Sequence, residues 1–339
     1  MKTKTIIIVG YVLVFVLGFA LGTVYRKDDI KIDASEATNT VNEIDTTQIE
    51  EEKIEFELNR YKLLDNTNYN IPKSFKYEEY KKVIDSIYNY EPTITSDDID
   101  VNYYTNIAIM NNIFVDYLVD NTVGSKDGKT VTIEYAYETK EEHEQKLKEI
   151  EDIIKKVLVS ATANDLNEFE KVLFIYTYWS ENIQYDSNAE GIPSISDVIF
   201  NHKGICQNYV KMINYTLGQL GIESYSVAGD TIFGQPHEWN LVKIYDNYYQ
   251  LDATYESTTT AGKGLVYFGR TKQEMLDEGR VFSEWVDGFT YEDFSDQESN
   301  RLKILKNAVT YKLENHELTL YDTENKEYAK INTQTLDKQ

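Results

Sequence analysis

"GICQNYVKMINYTLGQLGI", residues 204–222, holds the single cysteine of a 339-residue chain, and its reading decides the fold. After Gly204 the apolar side chains of Val210, Ile213, Leu217 and Leu220 recur at spacings of three and four, which is one face of a helix, and Gly221 stops it. Cys206 therefore falls in the first turn. A lone cysteine is most often a small packed hydrophobe that does no chemistry. At a helix start, however, unpaired backbone N–H groups and the positive end of the dipole favour a thiolate, so the position predicts a partly exposed sulfur with a depressed pKa.

A thiolate nucleophile needs a base, and the base needs a group to orient it. His237 opens the strand "HEWNLVKI" (237–244), and "YYQLDATY" (248–255) reads as the strand that returns after a turn around Tyr245–Asn247. If the loop has two residues, centred on Tyr245-Asp246 or Asp246-Asn247, Asp252 falls opposite Trp239 or Leu241. Side chains alternate faces, so His237 and Asp252 then share one face, whereas a loop one residue longer or shorter separates them. "SYSVAGD" (224–230) supplies a third strand.

Upstream, Tyr77–Tyr90 and Tyr103–Val119 read as helices and "TVTIEYAYET" (130–139) as a strand. In "KEEHEQKLKEIEDIIKKVLVSA" (140–161), Leu147, Ile150, Ile153, Ile154 and Val157 form one stripe, which leaves His143 on the solvated side. Asp165 with Glu168 reads as a capping pair for a further helix that runs through Phe169, Val172, Leu173, Tyr176 and Trp179 and ends near Tyr185.

Taken together, "KGICQNYVKMINYTLGQLGIESYSVAG" (203–229), "HEWNLVKI" and "YYQLDATY" resemble the transglutaminase-like branch of the papain-like thiol enzymes, whose motifs are a G-x-C helix start, an H-x-W-N strand and a strand ending in D-x-T. The resemblance covers about residues 165–256, and "FEKVLFIYTYWSENIQYD" (169–186) is similar to the helix that leads into this core. It implies an α+β papain-like core, with a cysteine-bearing helix packed on an antiparallel sheet. It also implies Cys206 as nucleophile, His237 as general base and acid, and Asp252 as the group that fixes the imidazole tautomer, a carboxylate expected to orient rather than to pack the sheet. The reaction implied is acyl transfer from an amide through a thioester, with no cofactor.

An oxyanion would be received by the Cys206 backbone N–H and a second donor. Papain has a glutamine six residues before its cysteine where this chain has Phe200, which leaves Tyr185 and Gln207 as candidates. Trp239 shares the His237 face and either shields a thiolate–imidazolium pair from water or is a core tryptophan; Asn240 faces the other way and reads as structural. Cys206, His237 and Asp252 lack the second cysteine or paired histidines of a familiar metal site.

Composition bounds the rest. Thirty-four basic against 58 acidic side chains leave a net charge of −24, a balance that repels nucleic acid and anionic lipid alike and excludes nucleic-acid binding. One cysteine excludes an intramolecular disulfide. Lys2 and Lys4 precede an uncharged run from Ile6 to Tyr25 that Arg26 and Lys27 close, long enough for a membrane anchor. The alternative is a cleaved signal peptide with sites at Gly18-Phe19-Ala20 or Ala20-Leu21-Gly22, and either places the bulk of the chain outside the cytoplasm. The expected organisation is an anchor or signal over 1–27, an acidic linker over 28–60, an amino-terminal α/β lobe over 61–160, the catalytic domain over 161–295 and a β-rich tail over 296–339. A protein or peptide substrate, including cell-wall peptide, is the expected partner. A non-catalytic surface-binding or scaffold module on the same fold is the rival.

Overall fold

The computed structural model describes residues 56–62, 75–162, 165–191, 193–283 and 297–338. The run Ile6–Tyr25 and most of the acidic segment lie outside the described residues, and among those described no helix is long and apolar enough to cross a membrane.

Helix α1 (Tyr77–Tyr88) buries Tyr80, Val83, Ile84 and Ile87 along one side and leads to strand β1 (Thr93–Thr95). The helix expected over Tyr103–Val119 is split in two. Asp100 caps α2 (Val101–Asn111) by accepting the Tyr103 N–H at 3.0 Å; Asn112 then restarts the chain as α3 (Ile113–Leu118), its Oδ1 accepting from Phe114 and Val115 at 3.0 and 3.2 Å. A short amide side chain at that point caps more readily than it continues a helix. Strands β2 (Val119–Gly124) and β3 (Thr130–Tyr135) complete an antiparallel sheet of order β1-β3-β2.

Helix α4 (Lys140–Thr162) buries Ile150, Ile154, Val157 and Leu158 as its stripe requires. His143, expected in solvent, is instead fully buried, its ring edge-on to Tyr90 and Tyr135 at 5.1 and 5.0 Å. The periodicity of α4 assigns a polar residue outward, but the tyrosines of the preceding lobe cover this first turn. Helix α5 (Glu168–Asn182) is capped by Asn167 with Glu170, not by Asp165 with Glu168. Asn167 Oδ1 accepts the Glu170 N–H and Glu170 Oε2 accepts the Asn167 N–H, each at 3.0 Å, while Asp165 takes a left-handed turn with φ 52°.

The chain continues through β4 (Gln184–Tyr185), α6 (Ile195–Asn201), β5 (Lys203–Gly204) and α7 (Cys206–Gln219). Strands β6 (Ser224–Asp230), β7 (Pro236–Ile244) and β8 (Asn247–Leu251) follow. "YYQLDATY" stops being a strand at Leu251, and Ala253–Thr260 forms helix α8; α9 (Lys272–Asp277) and β9 (Val281–Phe282) come next. The four strands make an antiparallel sheet of order β8-β7-β6-β9. One face, with Val242 and Ile244, joins the main core that includes α7; the other buries Trp239 and Leu241 with Val227, Tyr248 and Met275. Strands β10 (Thr310–Glu314), β11 (Glu317–Tyr321) and β12 (Glu327–Asn332) form an antiparallel meander whose Leu318, Leu320 and Ile331 enter the main core. Mixed helices and antiparallel sheets, with the cysteine-bearing helix on the largest sheet, make the fold α+β.

Burial is the leading cause that lowers the His143 pKa below 6.5. The unfolded chain takes up a proton as pH falls through about 6.5 and the folded chain resists it, so this residue's effect is a loss of stability on acidification. His143→Leu should therefore reduce the drop in urea midpoint between about pH 7.5 and about pH 5.5. An undiminished drop would place the acid-labile group elsewhere.

Candidate active site

The turn that presents Cys206 is assembled from short-range contacts. β5 pairs in parallel with β4, Tyr185 opposite Gly204, and the Ile205 N–H donates to Asn208 Oδ1 at 2.9 Å. Asn208 Nδ2 in turn donates to the Pro193 carbonyl at 2.9 Å. A Cβ on residue 204 would lie 2.8 Å from that of Asn208, so this approach requires glycine. Cys206 thereby becomes the first residue of α7.

Buried amides fasten α7 to the sheet. Asn240 Nδ2 donates to the Val210 carbonyl at 3.1 Å and to Asn214 Oδ1 at 2.8 Å, and Asn214 Nδ2 donates to Ser226 Oγ at 3.1 Å. Asn240 is structural, as its place in the strand alternation implied. The Tyr209 hydroxyl ties the same helix to the end of α5 and to α8, donating to the Ile183 carbonyl at 2.5 Å and lying 3.1 Å from Ser257 Oγ.

Ile244 stands opposite Asn247, so the β7–β8 loop is Tyr245-Asp246, with Tyr245 at φ 55°. This is the first of the two registers that put His237 and Asp252 on one face. His237 Nε2 lies 2.8 Å from Asp252 Oδ2, both side chains buried. Nδ1 is the ring nitrogen that Asp252 does not engage. Asp252 also caps α8, its Oδ1 accepting the Tyr255 N–H at 3.0 Å. Trp239 lies beside the imidazole, ring centres 5.9 Å apart, and its Nε1 donates to Gln250 Oε1 at 2.7 Å. It is thus a core tryptophan of the second face and a wall of the site together. A Cβ at Gly229 would meet the Val281 carbonyl oxygen at 2.0 Å and the Trp239 ring at 2.6 Å, so β6 carries glycine where that wall and β9 close in.

Cys206 departs from expectation. Its side chain is only 1% exposed, and burial, followed by the field of the Glu238 carboxylate, pushes the thiol up to about 12. The backbone N–H groups of Glu238 and Gln207 pull the other way without prevailing. A helix terminus supplies about half a unit charge, less than full desolvation of a thiolate demands. The Glu238 N–H contact sets the sulfur against the strand residue next to His237, although no described hydrogen bond joins sulfur to imidazole. Of the two oxyanion candidates, half-buried Tyr185 has its pKa raised first by burial and then by the charge of Cys206, which places its hydroxyl in the sulfur's field. Gln207 is half-buried and offers its backbone N–H to the sulfur. Phe200 offers no donor, its ring packing on Tyr117 at 5.4 Å.

One residue of the site escaped the sequence reading. Arg280, 2% exposed, donates from Nη1 to Asp252 Oδ2 at 2.5 Å, the same oxygen that His237 engages. Burial works to raise the Asp252 pKa, but His237 and Arg280 outweigh it and hold the carboxyl well below the usual carboxylate range. The partners stand 28 positions apart with no shared periodicity, so nothing in the linear pattern links them. Among the described residues no group of three or more His, Cys, Asp or Glu side chains could hold a metal ion.

Residues 155–253, a span that contains Cys206, His237 and Asp252, match the sequence profile of the transglutaminase-like superfamily. Over these residues the chain is similar to transglutaminase-like domains. No curated protein sequence matches the chain. Among solved structures, a candidate cysteine protease from Cytophaga hutchinsonii is 22% identical, with 30% of this chain and 37% of that one covered and a TM-score of 0.28. A TGase is 18% identical over 40% of this chain and 44% of its own, with a TM-score of 0.27. A candidate protease from Parabacteroides distasonis is 15% identical over 38% and 29%, with a TM-score of 0.23. The chain spans less than half the length of each of these proteins. The matched span ends before Arg280.

Two measurements follow from this geometry. Cys206 in the resting protein should react with iodoacetamide at about pH 8 on the order of a hundredfold more slowly than free cysteine, and at the free rate in denaturant. Fast alkylation of the folded protein would contradict the buried thiol. Asp252→Asn should cost about 3–5 kcal/mol in urea denaturation, because it leaves Arg280 buried beside a neutral amide. The buried pair with Arg280 gives this carboxylate a packing contact that the sequence-based expectation did not include.

Proposed function

We propose that this protein is a thiol-dependent enzyme that transfers acyl groups from protein or peptide amides. The observation that carries the reading is the buried 2.8 Å contact of His237 with Asp252, on the strand whose next backbone N–H reaches Cys206. Cys206 Sγ attacks the amide carbonyl carbon as its proton passes to His237 Nδ1, while Asp252 holds Nε2–H and stabilises the imidazolium. The oxyanion is received by the backbone N–H at the start of α7, with Tyr185 as second donor. Collapse breaks the C–N bond, His237 returns the proton to the leaving amine, and a thioester remains on Cys206. Water or a primary amine, deprotonated by His237, then releases the acyl group as hydrolysis or cross-linking.

The uncharged run Ile6–Tyr25 between basic flanks supports a tethered, extracytoplasmic protein that meets surface or cell-wall peptides. The burial of the sulfur favours the rival reading, a binding module on the same fold. The deciding experiment offers glutamine-containing and cell-wall peptides with and without a primary amine, and follows ammonia release, chain cleavage and amine incorporation by mass. A Cys206 acyl adduct is expected, absent from Cys206→Ser, with turnover lowered by about 10⁴ or more in that variant. Amine incorporation would identify a transglutaminase and cleavage a protease. No adduct on any substrate would move the protein to the binding-module reading.

A further inference from the structure

The β6–β7 hairpin that presents His237 carries a loop over Thr231–Gln235, with Ile232 and Phe233 in solvent at its tip. Phe233 is 64% exposed. The loop is nevertheless fixed. Buried Thr231 donates its N–H to the Gln235 carbonyl at 2.8 Å, and its own carbonyl accepts the Gly234 N–H at 2.9 Å. Its Oγ1 accepts the N–H groups of Phe233 and Gln235 at 3.2 and 3.3 Å, and Gly234 closes the turn at φ 69°. Next to the tip, a Cβ on Gly279 would lie 3.9 Å from Ile232 Cγ2, and Val281 of β9 stands opposite Asp230. Val281 is exposed as well, and so is Leu276 in α9, whose carbonyl accepts the Gly279 N–H at 2.9 Å. The other large apolar side chains exposed among the described residues, Tyr77, Met110 and Val123, belong to the amino-terminal lobe.

Strand alternation sets this patch on the cysteine's side of the sheet. Residues opposite one another share a face, so Val281, Asp230 and Pro236 lie on the same side as Ser226 and Asn240, the side on which α7 packs. Helix α7 covers that face from Asn240, which bonds to Val210, as far as Glu238, whose N–H meets the Cys206 sulfur. Pro236 and Val281 continue the face past the helix start, about 7 Å further on at the strand rise of ~3.3 Å per residue. An extended peptide with one residue at the sulfur reaches that point with its second or third side chain along. The four side chains expose an apolar area on the order of a few hundred Å², the size of patches that are often functional on monomers. That falls short of the ~800 Å² per partner that a stable dimer buries. The net charge of −24, with Asp230 and Asp277 adjoining Val281 and Leu276, disfavours an acidic peptide. We propose that Ile232, Phe233, Leu276 and Val281 form a platform for an apolar side chain of a peptide substrate, a few positions from the residue whose amide Cys206 attacks. This rests on the reading of Cys206 as nucleophile toward a peptide amide. Because Thr231 holds the loop in place beforehand, docking does not have to order it.

The test uses the full-length protein and a glycine peptide whose central residue is diaminopropionate iodoacetylated on its side chain, an alkylating stand-in for glutamine. One phenylalanine is moved from position to position on either side of it. Labelling of Cys206 is followed by mass, and no acyl transfer is required. The phenylalanine position that suits the platform should label Cys206 about tenfold faster than the all-glycine peptide, the advantage of burying part of one apolar side chain. In Phe233→Ser that advantage should fall to within about twofold, while plain iodoacetamide labels variant and wild type at equal rates, because the side chain removed lies in solvent. Ile232→Ser should reduce the advantage and Phe233→Leu should retain it. An advantage that survives both serine variants overturns the proposal, as does the lack of any favoured position in wild type. A wild-type dimer in sedimentation that Phe233→Ser makes monomeric would assign the patch to a second copy of the chain and overturn it too. Discrimination between these peptides without any acyl adduct on amide substrates would leave the platform standing and remove the enzyme reading; adducts formed with no such discrimination would do the reverse.

Discussion

The site depends on one oxygen, Oδ2 of Asp252, which is approached by His237 from β7 and by Arg280 from the turn before β9. All three side chains are buried. A carboxylate or guanidinium in that environment is tolerable only when paired, so the three groups hold one another in place. The other oxygen of Asp252 caps α8, and the backbone of Arg280 closes α9. A strand end, two helix termini and an edge strand therefore converge on one carboxylate. A shift in any of them would leave an uncompensated buried charge.

A second constraint fixes the cysteine relative to that centre. Alternation along β7 sends His237 and Trp239 to one face of the sheet and Asn240 to the other, where Asn240 and Asn214 anchor α7. The helix start is set by Asn208 and by a glycine that allows its approach. This placement buries the sulfur, and the cost of desolvating a thiolate then exceeds what the helix dipole returns.

The remainder of the chain supports the site by packing. The main core runs without a break from Tyr80 in α1 to Leu336 beyond β12. Glu170, which closes the cap of α5, also accepts from Thr333 Oγ1 at 2.6 Å and pairs with His316 Nδ1 at 2.9 Å, so the C-terminal meander is bonded to the helix that leads into the domain. At the other end, Phe114 of α3 meets Tyr215 of α7 edge-on at 6.3 Å.

What the sequence determined by itself is what short-range geometry controls. The helix from Cys206 and the strands on either side of the turn around Tyr245–Asn247 follow from periodicity, whereas the shared face of His237 and Asp252 follows only for a two-residue turn, which the structure supplies as Tyr245-Asp246. The cap of α5 is less legible because Asp165 and Asn167 are both good caps, and the bonds of Glu170 to His316 and Thr333 favour the second. Tertiary structure alone decided the burial of Cys206, the enclosure of His143 by Tyr90 and Tyr135, and the pairing of Arg280 with Asp252. Each depends on desolvation and on partners brought from distant segments, and a linear pattern records which residues alternate or repeat but not which of them the fold removes from water.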